Sequence, residues 1–247
     1  MVVNQEYLEE KEREAHAYYH DINLQRDELS MNLGGGIPKK SLMLAVGEDG
    51  AGKSILAQRL LYSFVRNKAT VSYISSELNT ISFVEQMESM DYDIKYDLLN
   101  GRVLFIPMFP VMGSTTPSND FMTRLLKTKE IFEKDIIIFD TLSFLMIRNN
   151  ITQDECYNLI NMLKRMTSLG KTILFMVDPN HLNDTMLSLL KSVSDIFVNL
   201  AIRSFAGNVV RVINIVRFKR PQGEFQANIP FRVEPGKGLA IEIASLD

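Results

Sequence analysis

The chain has 247 residues, of which 46% are hydrophobic, and this length and content suit one large α/β domain with a substantial core. Its formal net charge of −3 provides no overall basic field, which weighs against nonspecific binding to nucleic acid as the main task. The single cysteine, Cys156, excludes an intrachain disulfide bond and suits a reducing cytoplasm.

The N-terminal residues, 1–26, are polar and charge-rich, with a loosely helical spacing of apolar side chains. We predict that they form a helical arm packing weakly on the domain or on a neighbouring subunit, and that the main domain covers residues 27–247. Residues 1–12 lack the apolar segment of a signal peptide, and no apolar run is long enough for a membrane span. His16 and His20 have a spacing that suits a metal, but no third ligand is evident, so a solvated helix face is favoured.

Residues 47–54, GEDGAGKS, match the phosphate-binding pattern G-x-x-x-x-G-K-S. They lie between an apolar run at 42–46 and a helical pattern at 55–64, which is the context that this motif requires. Glycines let successive backbone N–H groups converge on phosphates, and the helix N-terminus adds a partial positive charge. We therefore predict a nucleotide site formed by Gly47, Asp49, Gly50, Ala51, Gly52, Lys53, Ser54 and Ile55.

The side chains of this loop predict which phosphates and which metal are bound. Lys53 would reach the β- and γ-phosphates, and the Ser54 hydroxyl would ligate Mg²⁺. The alternative is a glycine-rich turn before a helix that Lys53 merely begins. That alternative leaves a second signal, at Asp140, unexplained.

Asp140 ends an apolar run at 135–140 that predicts a strand buried on both faces of a parallel sheet. Carboxylates at the C-terminal ends of such strands lie where open α/β sheets bind ligands. Asp140 is therefore predicted to hold Mg²⁺ through water or through Ser54. Capping of the following helix is the alternative, and the pairing with the phosphate loop argues against it.

Apolar runs alternate with helical patterns from residue 42 to residue 202, which predicts a parallel sheet covered by helices. The last three apolar runs have no helices between them, so antiparallel strands should extend this sheet at its C-terminal end. A polar segment at 112–120 predicts a mobile surface loop. The predicted strands are 42–46, 70–75, 103–108, 136–139, 172–177, 196–202, 209–219, 229–233 and 239–243, with a hairpin turn at 203–208. The predicted helices are 53–67, 81–89, 120–133, 153–168 and 185–193.

Three further residues follow predicted strands at the ligand-binding edge. Glu77 leaves the strand at 70–75 and is predicted to orient and deprotonate an attacking water molecule. An acidic loop before the next helix is the alternative account of Glu77. Two interpretations of Asp178 and His181 are equally good. Both residues could sense a γ-phosphate, or Asp178 could cap a helix while His181 lies at the surface.

Arg217 and Lys219 are placed on one face of a late strand by the two-residue period of strands. They suit solvated edge residues that discourage edge-to-edge pairing of sheets. They also suit cations that reach a phosphate bound by the next subunit, as arginine fingers do. The physics of the residues alone favours the edge interpretation.

Taken together, these motifs resemble the RecA/KaiC superfamily. The resemblance rests on Gly-Gly-Ile-Pro at 35–38, the phosphate loop, Glu77 one strand later, Asp-Thr-Leu-Ser at 140–143 and the antiparallel tail. Within that superfamily the chain is most similar to the KaiC-like ATP-binding family of the archaeal flagellum, or archaellum. The supporting stretches are LGGGIPK at 33–39, YISSELNT at 73–80 and ILFMVDP at 173–179.

This resemblance implies a RecA-like fold that binds ATP and Mg²⁺ at a subunit edge. It also implies self-association into a ring, expected to be a hexamer, docked on the archaellum motor ATPase FlaI beneath the membrane protein FlaJ. The protein would then be cytoplasmic and peripheral to the membrane. Arg217 and Lys219 fall where KaiC-like rings place a Lys–x–Arg pair that contacts the neighbour's nucleotide, with the two residue types exchanged. The resemblance therefore favours their action on a neighbouring site.

The function expected from the resemblance is that of an accessory component, in which bound ATP and Mg²⁺ control ring assembly and docking. KaiC-like hydrolases carry two adjacent glutamates, whereas here Glu77 is followed by Leu78, so slow or absent hydrolysis is expected. Enzymatic activity is left open. The alternatives are an active RecA-type ATPase in DNA recombination and a KaiC-like signalling ATPase. The chain lacks clustered basic residues in its candidate loops, so no nucleic-acid partner is expected.

Overall fold

The structure is a computed structural model that describes residues 18–108, 128–205 and 208–242. Most of the predicted N-terminal arm, the predicted loop at 112–120 and most of the predicted helix at 120–133 lie outside these residues. Within the described ranges, every helix is too short or too polar to cross a lipid bilayer.

The described chain alternates strands with helices up to residue 193 and then continues in strands, as the order of its apolar runs predicts. The strands are β1 (Tyr19–Asp21), β2 (Gly36–Pro38), β3 (Leu42–Gly47), β4 (Val71–Ser75), β5 (Val103–Pro107), β6 (Ile136–Asp140), β7 (Thr172–Val177), β8 (Ile196–Phe205), β9 (Asn208–Phe218), β10 (Asn228–Glu234) and β11 (Gly238–Ile241). The helices are α1 (Leu29–Asn32), α2 (Lys53–Arg66), α3 (Thr80–Ser89), α4 (Lys95–Leu99), α5 (Leu142–Arg148), α6 (Gln153–Ser168) and α7 (Asp184–Val193), with 3₁₀ turns at Lys129–Phe132 and Pro179–His181.

Nine of the described strands form one sheet in the order β11-β10-β9-β8-β3-β7-β6-β4-β5. The six strands from β8 to β5 in this order are parallel. Strands β9, β10 and β11 continue the sheet in antiparallel pairs. The predicted fold class, a mostly parallel RecA-like sheet with a C-terminal antiparallel extension, is confirmed.

Hydrophobic clusters cover both faces of the parallel strands, because β3, β4, β6 and β7 are buried at every position. On one face, Leu56, Leu60 and Phe64 of α2 belong to the cluster. On the other face, Leu159 and Leu163 of α6 pack against the sheet. The central strands are therefore held from both sides, which fixes the edge where they end.

A buried ion pair attaches the segment before α1 to the core. Arg59 of α2 donates two hydrogen bonds to the Asp27 carboxylate, at 2.9 and 2.6 Å, and a third to the Ile22 carbonyl at 2.9 Å. Both side chains are almost completely buried. Such a pair specifies a position more than it adds net stability, although removal of one partner costs about 3–5 kcal/mol.

The predicted N-terminal helix does not continue through the residues that the structure describes after Tyr18, which is itself helical. Tyr19–Asp21 is strand β1, paired antiparallel with β2 in a separate two-stranded sheet. The physical reason is that pairing with β2 supplies the backbone hydrogen bonds of β1, which outweighs a weak helical pattern. The boundary between an arm and a domain stays a prediction.

Smaller differences concern the ends of elements. The described end of the predicted helix at 120–133 is a 3₁₀ turn, and β9 ends at Phe218, one residue before Lys219. Helices α1, α4 and α5 were not predicted, because helices this short show no clear period.

His20 lies in the middle of β1, where its surroundings favour the neutral form of its imidazole ring. Its Nε2 atom lies 2.9 Å from the Thr172 hydroxyl oxygen, and its ring meets Phe64 edge-on. The pKa of His20 is lowered from 6.5 to about 4, mainly by burial and also by the positive charge of Lys39, while the negative charge of Asp135 acts to raise it. In the folded chain the imidazole is therefore neutral near neutral pH.

We predict that the folded protein loses stability as the pH falls from 6.5 towards 4. In this range the unfolded chain binds a proton at His20 and the folded chain does not, so acid favours unfolding, by about 3 kcal/mol at most. His20→Gln removes this titration. Urea unfolding at about pH 7 and about pH 4.5 should show a larger loss for the wild type than for the variant. Parallel profiles for the two proteins would contradict the assignment.

Candidate nucleotide-binding site

The loop between β3 and α2 has a backbone that only glycine suits at two positions. Gly50 has φ +74° and Gly52 has φ +96°, both in the left-handed region. A Cβ atom at Gly52 would also lie 2.8 Å from Cζ of Phe231, on β10. The glycines of the motif therefore shape the loop and let β10 approach it.

The N-terminus of α2 faces this loop without a side-chain cap. Gly52 occupies the N-cap position, and no side-chain hydrogen bond satisfies the first N–H groups of the helix. Uncapped N–H groups together with the positive end of the helix dipole form a favourable place for an anion. The loop and helix are thus arranged to bind a phosphate.

Lys53 lies at the start of α2 with its ammonium group folded onto the loop. Its Nζ atom donates hydrogen bonds to the carbonyl oxygens of Gly47 and Glu48, both at 2.8 Å. A third, longer contact of 3.4 Å joins it to Oδ2 of Asp178. The side chain is only 8% exposed, so this cation is held at the position where phosphate charge would be neutralised.

Asp178 lies next to this lysine, directly after β7, and His181 ends the 3₁₀ turn that follows. Asp178 accepts a hydrogen bond from the Asn180 N–H and caps the 3₁₀ turn, besides its contact with Lys53. His181 is partly buried, with Nδ1 3.3 Å from the Ser143 hydroxyl oxygen. The capping role of Asp178 and its proximity to Lys53 are therefore both present in the geometry.

Asp140 lies at the end of β6, next to the start of α2. Its Oδ1 atom accepts a hydrogen bond of 2.9 Å from the Ser54 hydroxyl, and its Oδ2 atom accepts one of 2.6 Å from the Tyr73 hydroxyl. Burial raises the pKa of Asp140 to about 6, because a charged carboxylate loses its hydration, while these two hydrogen bonds act to lower the pKa. The structure thus brings together Ser54 and Asp140, the two predicted Mg²⁺ ligands.

Glu77 lies at the mouth of the same cleft, in the loop after β4. Its side chain is exposed, and the Thr141 hydroxyl lies 3.4 Å from its Oε1 atom. Helix α3 is capped by Asn79, whose Oδ1 accepts from the Ser82 N–H at 2.9 Å. Glu77 is therefore not needed as the cap, and its position at the cleft suits the predicted base.

The cleft has a volume of about 320 Å³. One wall is the loop with the first turn of α2, including Asp49 and Ile55, and another carries Glu77 and Thr141. Arg211 of β9 and Val233 of β10 complete the lining, and Arg211 Nε donates to the Gly50 carbonyl oxygen at 2.9 Å. The sequence analysis missed these last two residues, because a single arginine or valine on a strand carries no signal until the strand pairing is known.

Arg217 and Lys219 do not join this cleft within one chain. Strand β9 runs antiparallel to β8, so its last residues lie at the edge of the sheet opposite the phosphate loop. There Arg217 donates to the carbonyl oxygens of Lys191 and Ser194, at 2.6 and 3.1 Å. Lys219 contacts Oδ1 of Asp195 at 3.5 Å. Contact with the nucleotide of a neighbouring subunit stays a prediction.

The donor set of the cleft fits a Mg²⁺–nucleotide complex. A hydroxyl and a carboxylate meet beside an ammonium group and an uncapped helix, and Mg²⁺ bound to nucleotides takes few protein ligands in addition to phosphate oxygens. The described residues contain no group of three or more His, Cys, Asp or Glu side chains that would hold a metal alone. A cation in this cleft would therefore depend on the phosphates of its nucleotide.

Comparison with known proteins identifies the family of the chain. The family model for the KaiC ATPase matches residues 26–245. The archaeal flagellar ATP-binding protein FlaH of Methanococcus voltae is 40% identical over 228 residues, 92% of this chain and 99% of the relative. FlaH of Methanocaldococcus jannaschii is 37% identical over 225 residues, 91% of this chain and 96% of the relative.

Two crystal structures extend the comparison. The flagellar accessory protein FlaH from Methanocaldococcus jannaschii has a TM-score of 0.85 at 36% identity, covering 92% of this chain and 100% of the other. A KaiC-like protein from Pyrococcus horikoshii has a TM-score of 0.69 at 14% identity, covering 87% of this chain and 95% of the other. The second match supports the fold alone.

We predict that Lys53→Ala weakens binding of a fluorescent ATP analogue by well over tenfold, about 1.4 kcal/mol or more. The variant removes the buried ammonium group that would neutralise phosphate charge beside the backbone N–H groups of the loop. Lys171→Ala is the matched control, because it removes a lysine that contacts the Glu133 carbonyl, away from the cleft. Equal affinities for the wild type and Lys53→Ala, or equal losses in the two variants, would exclude the phosphate-site assignment.

Proposed function

Because this chain belongs to the KaiC-like ATPase family and, within it, to the archaeal flagellar ATP-binding proteins FlaH, we propose that it binds ATP with Mg²⁺ as a component of the archaeal flagellum. The observation that carries this proposal is the hydrogen bond of 2.9 Å between Ser54 and Asp140, beside Lys53 at an uncapped helix N-terminus. A hydroxyl, a carboxylate and an ammonium group in this arrangement are the groups that a Mg²⁺–triphosphate needs.

In the proposed complex, the N–H groups at the start of α2 bind the phosphate oxygens. The Lys53 ammonium, now bonded to the Gly47 and Glu48 carbonyls, would hold the β- and γ-phosphates. Ser54 and Asp140 would hold the cation directly or through water, and the cation would neutralise charge on the phosphates. Arg211 stays bonded to the Gly50 carbonyl and supports the loop from the side of β9.

We propose that turnover of the bound ATP is slow or absent. Glu77 is the one carboxylate near the cleft mouth that the sequence pattern places as a base, and the next residue, Leu78, packs against the hydrophobic cluster on that face. No second carboxylate therefore follows Glu77 to help orient an attacking water molecule. Bound ATP would then act mainly as a structural ligand.

The two acidic residues should respond differently to substitution. We predict that Asp140→Asn impairs Mg²⁺-dependent binding of ATP, because this carboxylate would hold the metal together with Ser54. Glu77→Gln should leave binding intact and abolish any slow release of phosphate, because it removes only the base. Titration of a fluorescent ATP analogue and a phosphate-release assay measure the two effects. Loss of binding in Glu77→Gln as severe as in Lys53→Ala would refute the catalytic assignment.

We further propose that ATP promotes assembly of a ring, expected to be a hexamer, that docks on the motor ATPase FlaI and the membrane protein FlaJ. Two features support self-association. The cleft is open at its mouth, where Glu77 is exposed, and Lys219 is about half exposed at the opposite edge of the sheet. A cation from one subunit could therefore complete the phosphate site of the next.

This proposal predicts that charge reversal at Lys219 prevents ATP-dependent assembly. Lys219→Glu should leave the monomer folded and able to bind ATP more weakly, because Lys219 lies outside the cleft of its own chain. The double variant Arg217→Glu with Lys219→Glu should show the same loss. Arg217 holds the connection between α7 and β8, so the single variant is the cleaner test.

Light scattering of each protein with and without ATP and Mg²⁺ measures this assembly. Lys164→Glu, which reverses an exposed lysine on α6, controls for the change in net charge. Preferential binding of ATP to the assembled state should raise the mass of the wild type and of the control. The proposal is wrong if the mass of the wild type does not change with ATP, or if Lys219→Glu still assembles. Arg217 and Lys219 would then be solvated charges at the edge of the sheet.

A further inference from the structure

Tyr73 connects the interior of the sheet to the Asp140 carboxylate. It lies in the middle of β4, beside β6, and is completely buried. Its ring stacks near Phe83 and Phe105, with centroid distances of 4.9 and 6.1 Å. Its hydroxyl donates the 2.6 Å hydrogen bond to Oδ2 of Asp140. The aromatic neighbours hold the ring, so the direction of this hydrogen bond is fixed.

The consequence for Asp140 is that two different donors bind its two oxygens. Ser54 binds Oδ1 from the phosphate loop, and Tyr73 binds Oδ2 from the interior. Rotation of the carboxylate would break both bonds in a site where neither oxygen has water to replace them, because Asp140 is only 3% exposed. Oδ1 is therefore kept on the side of Ser54 and the cleft.

We propose that Tyr73 is a positioning residue for Mg²⁺-dependent nucleotide binding, acting through its hydrogen bond to Asp140. This inference rests on the proposed function, because it assigns Asp140 to the cation of a Mg²⁺–ATP complex. A role in packing alone would need only the ring, which phenylalanine supplies at the neighbouring positions 83 and 105. The hydroxyl is the part of Tyr73 that reaches the site.

The test compares Tyr73→Phe with Tyr92→Phe. Both substitutions remove one buried hydroxyl, but that of Tyr92 accepts from the Leu239 N–H at 3.0 Å and has no contact with Asp140. The affinity for a fluorescent ATP analogue is measured in Mg²⁺ and again in EDTA. Tyr73→Phe should lose about tenfold in Mg²⁺, as outer-shell substitutions at metal sites do, and change less than about twofold in EDTA. Tyr92→Phe should retain the wild-type affinity in both.

A double-mutant comparison shows whether Tyr73 acts through Asp140. In the Asp140→Asn background, Tyr73→Phe should cause no further loss of Mg²⁺-dependent affinity. Phe83→Leu removes a ring that packs against Tyr73, and it should reduce the Mg²⁺-dependent affinity in the same direction. It also serves as the test variant if thermal denaturation shows that Tyr73→Phe does not fold.

Three outcomes would overturn the inference: a wild-type response of Tyr73→Phe to Mg²⁺, an equal loss in Mg²⁺ and EDTA, or an undiminished loss in the Asp140→Asn background. A wild-type protein that binds no ATP analogue under either condition would instead refute the proposed function. The two failures are therefore distinguishable in one set of titrations.

Discussion

The carboxylate of Asp140 is the contact on which the rest of the cleft depends, because it joins three elements at one point. It ends β6, receives Ser54 from α2 at Oδ1, and receives Tyr73 from β4 at Oδ2. A buried carboxylate is costly unless donors or cations surround it, and its raised pKa reflects that cost. The arrangement provides two donors and leaves Oδ1 beside the cleft, so a cation bound there would also stabilise the protein.

The parallel sheet makes this meeting point, since the ends of β3, β7, β6 and β4 lie next to one another. Gly47, Asp140 and Asp178 are far apart in sequence, yet they contribute to one edge because four buried strands end there. Hydrophobic clusters on both faces hold these strands, so the polar side chains at their ends are presented by a rigid support. The positions of the polar side chains at this edge of the sheet thus depend on hydrophobic packing in its interior.

The sequence predicts those site residues that belong to a local motif or end a recognisable strand. Glycines next to a lysine and a serine predict the phosphate loop, and an unbroken apolar run before Asp140 predicts a buried strand end. The sequence does not predict the positions of Arg211 and Val233 at the cleft or the hydrogen bond from Tyr73 to Asp140. These depend on which strands pair and in what register. The strand at Tyr19–Asp21 was missed for the same reason, since only its pairing with Gly36–Pro38 makes it a strand.

Strand β9 of the antiparallel extension joins the two regions of the chain that the proposed assembly involves. Arg211 near its start is bonded to the phosphate loop, and Arg217 near its end lies at the opposite edge of the sheet. Six residues of extended strand separate them, roughly 20 Å at about 3.3 Å per residue. In a ring, one end of this strand would contact the nucleotide of its own subunit, and the other would lie close to that of the neighbour. In the proposed assembly, β9 would therefore lie between the nucleotide of its own subunit and that of the neighbour.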